Sequence, residues 1–391
     1  MKFEHYAVPR IVFGAGRFAD LGALAAQWGG RALIVSHGSA SSAPSIGRLV
    51  ELLSASRVAS QVHAIGGEPE VNDVDAGVAL ARTSQAEVVI GLGGGSAIDA
   101  AKAIAGVLTN GGSALDYMEV VGRGRTIRVP ALPWIAVPVT AGTGAEATRN
   151  AVIGCREKHF KASLRSELLL ARVAVIDPEL GVAVRPDVTA RCGMDALTQC
   201  LEALVSRNAQ PLADQAAREG LRRAGRSLRR AFANGGDLDA RGEMALAALC
   251  GGIALTNAGL GAVHGFAAPL GAQLAAPHGT VCAVLLPHVM EANVKALRAR
   301  GARETLLRYA EIGRLLADSD DAGDERAIDA GIDGVRDLVR DLRIPGLRRY
   351  GLRESDIPTL VERAKKASSM RHNPVELDDD ALGAILRAAL Y

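Results

Sequence analysis

Aromatic side chains are scarce in this chain, at 3% of residues, so its core has to be built from Ala, Val, Leu and Ile. An excess of charge of one sign is lacking too. Lys and Arg number 45 against 43 Asp and Glu, and a net charge of +2 is too small to argue for nucleic acid or an anionic membrane as partner. There are five cysteines and no CxxC pair, which speaks against a disulfide framework and for reduced thiols in a cytoplasm. The opening residues MKFEHYAVPR lack the apolar stretch of a signal peptide. Between Met244 and Met290 there is no Asp, Glu, Lys or Arg. Length alone would allow a transmembrane helix there, but many glycines, Asn257, Pro269, Pro277, Pro287 and three histidines favour buried core helices around a site.

What is present is a long chain of ordinary globular composition. Its 391 residues exceed what one hydrophobic core usually spans, so two domains are expected. The first half alternates strand and helix patterns. Strands are expected at Arg31–Ser36, Val58–Ile65, Ala86–Gly91, Trp134–Val139 and Val173–Asp177, with helices such as Ile46–Ser54 and Val74–Thr83 between them. That alternation predicts βαβ units and a parallel sheet. Beyond about Pro186 helical periodicity takes over: Met194–Leu204, Pro211–Phe232, Glu243–Leu255, Glu304–Leu316, Ala327–Leu342, Asp356–Ala367 and Asp379–Ala389. The expected fold is therefore an α/β Rossmann-like domain over residues 1–185 followed by an all-α domain over 186–391. Asp318–Arg326 reads as a solvated surface turn. The six arginines of Arg218–Arg230 read as a solvated helix face rather than a nucleic-acid surface.

The strongest local signal is Ile90–Ala105, IGLGGGSAIDAAKAIA. A buried strand enters Gly93, Gly94 and Gly95, then Ser96, then an Ala-rich helix. Glycines let a diphosphate approach the backbone, and the helix start offers unpaired N–H groups. Ser96 is the expected N-cap, and Asp99 completes an S-x-x-D capping pattern. The motif says phosphate or dinucleotide, not which. In Val137–Glu146, VPVTAGTGAE, Thr140 and Thr143 follow a strand end, where hydroxyls can hold phosphate or ribose or simply belong to a polar loop. Gly14–Gly16 reads as a turn.

Asp195 and Gln199 share one helix face, a turn apart, and His264 and His278 fall in the uncharged stretch. One carboxylate with two imidazoles suits Fe(II) or Zn(II). Spacing by itself favours the plainer alternative of a solvated aspartate and two core histidines, because the step between the histidines fits no local metal template. His288 reads as structural.

Together these segments resemble the iron-containing alcohol dehydrogenase family. VFGAGRFADL, GLGGGSAIDAAKAIA, PVTAGTGAEATRNAVI, DPEL, GMDALTQCLEA, GAVHGFAAPLGA, PHGTVCAVLLPHVM and MRHNPVELDDDAL occur collinearly. The resemblance implies an active site in a cleft between a Rossmann-like and a helical domain. It implies that Gly94, Gly95, Ser96 and Asp99 lie along the dinucleotide, with Thr140 and Thr143 near the phosphates and nicotinamide, Lys161 on the nicotinamide ribose and Leu180 lining the cofactor cleft. The family's metal ligands are an aspartate and three histidines. Asp195, His264 and His278 match three of them, and Gln199 stands at the fourth, where its neutral oxygen is a weaker ligand than imidazole. Ala268 replaces a histidine that many members carry near the cofactor, which points to another proton route. His37, followed by Gly38 and Ser39, stands where NAD-preferring members often place an aspartate, so NADP is admitted beside NAD.

The function so implied is NAD(P)-dependent hydride transfer between nicotinamide and a small alcohol or carbonyl substrate. Fe(II), or alternatively Zn(II), would polarise the substrate oxygen in a cytoplasmic homodimer with neither nucleic acid nor membrane as partner. Arg149 is expected to pair with Glu146. Facing the cleft instead, it would favour a carboxylated substrate, as in the maleylacetate reductases, which the chain resembles more distantly. The alternatives are a metal-free reductase of the same fold, a lyase of the dehydroquinate synthase kind, whose helical motifs fit poorly, and a non-catalytic nucleotide-binding protein.

Overall fold

The computed structural model describes residues 2–39, 42–158, 160–274, 276–317 and 323–390. Residues 318–322 of the expected surface turn lie outside the described residues.

The short Val- and Ile-rich runs of the first half become strands β1 (Ile11–Phe13), β2 (Arg31–His37), β3 (Ala59–Ile65), β4 (Val88–Gly93), β5 (Trp134–Pro138), β6 (Asn150–Cys155), β7 (Phe160–Arg165) and β8 (Val173–Ile176). Six of them form one sheet in the order β1-β8-β5-β4-β2-β3 with every pairing parallel. Every residue of the central strand β4 is buried, as expected of a parallel strand covered on both faces, and this is why VVIGLG reads as a continuous apolar run. Helices α1 (Leu21–Ala25), α2 (Ala43–Ala55), α3 (Val71–Thr83) and α4 (Gly95–Asn110) accompany the sheet.

The sequence pattern does not reveal β1 or the antiparallel hairpin β6–β7. β1 is only three residues long, too short to show a period. The hairpin lies next to a loop rich in Thr and Gly that masks its alternation.

From Pro186 the chain is helical: α5 (Pro186–Val205), α6 (Pro211–Ala233), α7 (Leu238–Ala258), α8 (Ala262–Gln273), α9 (His278–Ala299), α10 (Arg303–Ala317), α11 (Asp324–Asp341), α12 (Ile357–Lys365) and α13 (Asp379–Ala388). Proline in the first turn starts α5 and α6, where its missing N–H costs nothing. Asp237 and Asp378 cap α7 and α13 by accepting the N–H of Ala240 and of Ala381. The uncharged stretch turns out to hold most of α7, all of α8 and the first half of α9. By length and composition α9 could cross a membrane, but 72% of its apolar window is buried among the other helices, the environment of a core helix.

Five arginines of α6 have carboxylate partners. Arg218 bonds Glu311, Arg222 and Arg223 bond Glu219, Arg229 bonds Asp341 and Arg230 bonds Asp237. That is a solvated, ion-paired face.

The chain forms two compact units. One comprises residues 6–140 and 144–184. The other comprises the chain from Arg185 onward together with residues 2–5 and 141–143. These two short segments depart from a single division near residue 185. For the second the cause is close packing: Gly142 lies against Cys192 of α5, where a Cβ would stand 2.9 Å from the cysteine Cβ.

Candidate active site

In the α/β unit the glycine-rich turn joins the central strand to α4. Gly93 has φ +152°, and a Cβ there would lie 2.8 Å from the Cβ of Ala97. Glycine is therefore required by both backbone conformation and space. Gly94 is the N-cap of α4 in extended conformation, without a side-chain cap. This corrects the capping expectation for Ser96 and Asp99. The helix begins two residues earlier than the S-x-x-D pattern implies, with Gly94 as its N-cap and Gly95 as its first residue. Gly95 and Ser96 are thus the first two residues of the helix, and their N–H groups are among those without a partner further back in the helix.

Asp99 is engaged elsewhere: its Oδ2 accepts the N–H of Val152 at 3.0 Å. Thr140, two residues beyond β5, lies beside Gly94, with Oγ1 3.2 Å from the place of a Gly94 Cβ. His37 ends β2, and burial lowers its pKa against the opposing backbone hydrogen bond of Ile65. Lys161 in β7 forms an ion pair with Glu68. Leu180 sits in a short 3-10 turn at Pro178–Gly181, half-buried on the sheet core. Thr143 belongs to the short segment that goes with the helical unit.

A residue that motif reading passed over anchors this region. Lys102 of α4 is fully buried. Its Nζ donates to the Ala145 carbonyl at 2.9 Å, to Thr148 Oγ1 at 2.7 Å and to the Asn150 carbonyl at 2.6 Å, and it lies 3.4 Å from Asp99 Oδ1. Nearby Glu146 is also buried, and its carboxyl is pushed up to about 7 by burial, against the partial opposition of a backbone hydrogen bond and Lys102. Arg149 does not pair with Glu146. Its guanidinium carbon lies 4.2 Å from the centroid of the Tyr6 ring, a cation–π contact that a partly buried arginine gains without a carboxylate.

In the helical unit the side chains singled out for metal binding do converge. Asp195 and Gln199 lie on the buried face of α5. His264 is in the first turn of α8, and His278 is the first residue of α9. Asp195 Oδ1 is 3.4 Å from His264 Nε2 and 3.6 Å from His278 Nε2, yet it has no hydrogen-bond partner although fully buried. The close approach of α9 to α5 is permitted by Gly279, where a Cβ would lie 2.1 Å from the Arg191 carbonyl oxygen. Gln199 Oε1 is likewise buried without a partner and rests beside Gly251 of α7. His288 stands apart from this cluster, 3.8 Å from Glu291. Ala268, a turn beyond His264 in α8, is exposed.

Two members of the site escape a reading of the sequence. Glu202, buried on α5, accepts the N–H of Val263 at 2.7 Å and the Nδ1 hydrogen of His264 at 2.7 Å. It thereby caps α8 and leaves the His264 Nε2 lone pair turned toward the cluster. Cys282, a turn beyond His278 on α9, places Sγ 3.7 Å from His264 Nε2 and 3.6 Å from His278 Nε2. The donor atoms of Asp195, His264, His278 and Cys282 all lie within 4.8 Å of one another. GMDALTQCLEA holds Glu202 in plain view, but nothing in its spacing ties it to an imidazole 62 residues away.

The electrostatics of the cluster are those of two acids packed against two bases. Burial would raise Asp195, but His278 and His264 outweigh it and hold the carboxyl below its ordinary value. Burial would also raise the Cys282 thiol, and the same two imidazoles bring it below the usual range. His278 is pushed up to about 9 by Cys282, ahead of the opposing effect of burial. A divalent cation would meet four deprotonated donors here at the expense of the protons they now share. The buried carboxylate oxygen without a partner and the oriented His264 fit such an ion.

Family comparison agrees with this geometry. Residues 9–178 match the model of iron-containing alcohol dehydrogenase, and residues 189–390 match that of the Fe-containing alcohol dehydrogenase family, C-terminal. The chain belongs to the iron-containing alcohol dehydrogenase family. As such it is an oxidoreductase acting on CH–OH groups, a nicotinamide-dependent alcohol dehydrogenase. Alcohol dehydrogenase 4 of Schizosaccharomyces pombe is 36% identical over 82% of this dehydrogenase and 73% of its own length. The crystal structure of a 1,3-propanediol oxidoreductase superposes with a TM-score of 0.92 at 31% identity, covering 100% of both chains. A sulfoacetaldehyde reductase from Bifidobacterium kashiwanohense, solved with NAD+, gives a TM-score of 0.87 at 30% identity over 100% of this chain and 99% of its own.

Proposed function

We propose that this dehydrogenase interconverts a small alcohol and its aldehyde or ketone, with NAD or NADP held by the α/β unit and the substrate oxygen held at a divalent metal in the helical unit. The buried Asp195 Oδ1, unpartnered between two imidazoles, carries the metal part of this reading. Asp195, His264 and His278 are the ligands. Gln199 stands at the fourth family position, and iron is the metal that the family name implies. When bound, the ion acts as a Lewis acid on the substrate oxygen and stabilises the alkoxide.

On the cofactor side, the α4 N-terminus offers unpaired N–H groups at Gly95 and Ser96 to the diphosphate, and Gly93 and Gly94 keep that approach clear. Thr140 stands beside this turn. Asp99 acts by tying α4 to β6, and Lys102 does so by holding the 145–150 segment. Thr143, Lys161 and Leu180 complete the set, Lys161 exchanging Glu68 for ribose hydroxyls. At the end of β2, His37 brings no carboxylate to repel a 2′-phosphate, which supports use of NADP as well as NAD. The NAD+-bound reductase relative supports the nicotinamide cofactor. None of the five cysteines is in a disulfide, in keeping with a cytoplasmic enzyme, and a homodimer is what the family resemblance implies.

The test is metal analysis of protein purified without chelator, together with turnover of a panel of primary alcohols by the intact enzyme and by His264→Ala. Stoichiometric metal and loss of turnover in the variant are expected. Near-normal turnover in His264→Ala would establish the metal-free reductase instead.

A further inference from the structure

We propose that Cys282, rather than Gln199, supplies the fourth protein ligand of the metal, making an Asp–His–His–Cys set that retains Zn(II) in preference to Fe(II). The proposal rests on the metal reading above and concerns which side chain completes the ligand set and which metal that set retains.

Distances carry the argument. A tetrahedral ion with metal–sulfur bonds of about 2.3 Å and metal–nitrogen bonds of about 2.0 Å sets sulfur and nitrogen about 3.5 Å apart, and oxygen and nitrogen about 3.3 Å apart. Cys282 Sγ lies 3.7 Å from His264 Nε2 and 3.6 Å from His278 Nε2. Asp195 Oδ1 lies 3.4 and 3.6 Å from the same nitrogens. The four sulfur–nitrogen and oxygen–nitrogen separations therefore lie close to the edge lengths of a coordination tetrahedron, and all four donor atoms stand within 4.8 Å of one another. The two α9 donors are His278 and Cys282, one turn apart on one face, as Asp195 and Gln199 are on α5.

Chemistry points the same way. An amide oxygen is neutral and a poor ligand for a borderline cation, whereas a thiolate is anionic and soft. With Asp195 and Cys282 both ionised, the set carries two negative charges and neutralises a divalent cation inside a buried cluster. A chain that has lost one imidazole ligand at Gln199 keeps its ligand number through the sulfur. Thiolate ligation and the ordinary affinity order both place Zn(II) above Fe(II). Cys282 is buried and His278 is half-exposed, so a substrate oxygen would approach past His278.

The experiment is reconstitution of the metal-free full-length enzyme with Co(II), read by absorption, with metal retention measured in competition between Zn(II) and Fe(II). The intact protein should bind one Co(II) and show an intense near-ultraviolet sulfur-to-cobalt charge-transfer band. Cys282→Ser should lose that band and bind zinc more weakly by at least about 100-fold, beyond the roughly 10–100-fold typical of losing an outer partner. Gln199→Ala should keep the band. Stoichiometric Co(II) without the band in the intact protein overturns the assignment of Cys282 and leaves the metal site standing. So does a band that survives in Cys282→Ser. Absence of any stoichiometric Co(II) or Zn(II) overturns the metal reading itself. The spectrum of the intact protein decides the question even if a variant fails to fold.

Discussion

The carboxylate of Glu202 accepts the Nδ1 hydrogen of His264 at 2.7 Å. One helix, α5, thus carries both the acid that faces the metal cluster, Asp195, and the acid that turns an imidazole toward it. Replacing Glu202 by Gln presents an amide N–H or a weaker acceptor to Nδ1 and relaxes the tautomer. Metal affinity is expected to fall about 10–100-fold, with turnover falling in step and recovering partly at high metal. Metal titration of the variant checks this, and an unchanged affinity would show that His264 is oriented by packing alone. Glu202→Ala removes the α8 cap as well, and a further loss of about 1–3 kcal/mol in folding stability is expected from the orphaned N–H groups.

Gly93→Ala puts a methyl group 2.8 Å from the Ala97 Cβ at φ +152°. The strain should cost about 1–3 kcal/mol, and the turn it distorts is the one proposed to hold the diphosphate. NADH affinity, followed by fluorescence titration, should fall at least about tenfold, which is about 1.4 kcal/mol. A variant that loses stability but binds NADH normally would move the dinucleotide away from this turn.

His37→Asp introduces a carboxylate at the end of β2. If the ribose lies there, the like charge should lower kcat/KM for NADP by at least about tenfold while sparing NAD. Steady-state kinetics with both cofactors read the ratio. Equal losses with both would indicate damage to the end of β2 rather than repulsion.

Glu146 gives a pH signature. Burial pushes its carboxyl up to about 7 in the folded protein, against an ordinary 4.5. Between those values the folded chain holds a proton that the unfolded chain has released, so stability falls as pH rises through the window and levels off above it. Glu146→Gln has no proton to lose. The stability of the variant relative to the intact protein should therefore grow from about pH 4.5 to about 7 and then stay constant, as read from denaturant midpoints across that range. Parallel pH curves would mean that Lys102 keeps Glu146 ionised throughout.

Part of this site is legible in the amino-acid sequence alone. The glycine run at 93–95 marks a strand-to-helix turn, and at Gly93 no other residue tolerates the backbone at φ +152° and the closeness of the Ala97 Cβ. Asp195, His264 and His278 stand out through family resemblance rather than through their spacing, which fits no local template. The exact start of α4 is not legible, because a glycine cap leaves no side-chain signature. Arg149 is expected beside Glu146 because the two are near neighbours in sequence, whereas the Tyr6 ring that it covers lies far upstream.

Sequence by itself determined the element types: the alternation of apolar strands and helices in the first half, and helical periodicity after Pro186. Both are local, set by the period at which apolar side chains recur. Only the tertiary structure decided that Glu202 orients His264, that Lys102 holds the 145–150 segment, and that a thiol one turn beyond His278 joins the donors. Those facts depend on how close separate helices approach, and that distance is set by small residues such as Gly279 packing against backbone far away in the chain.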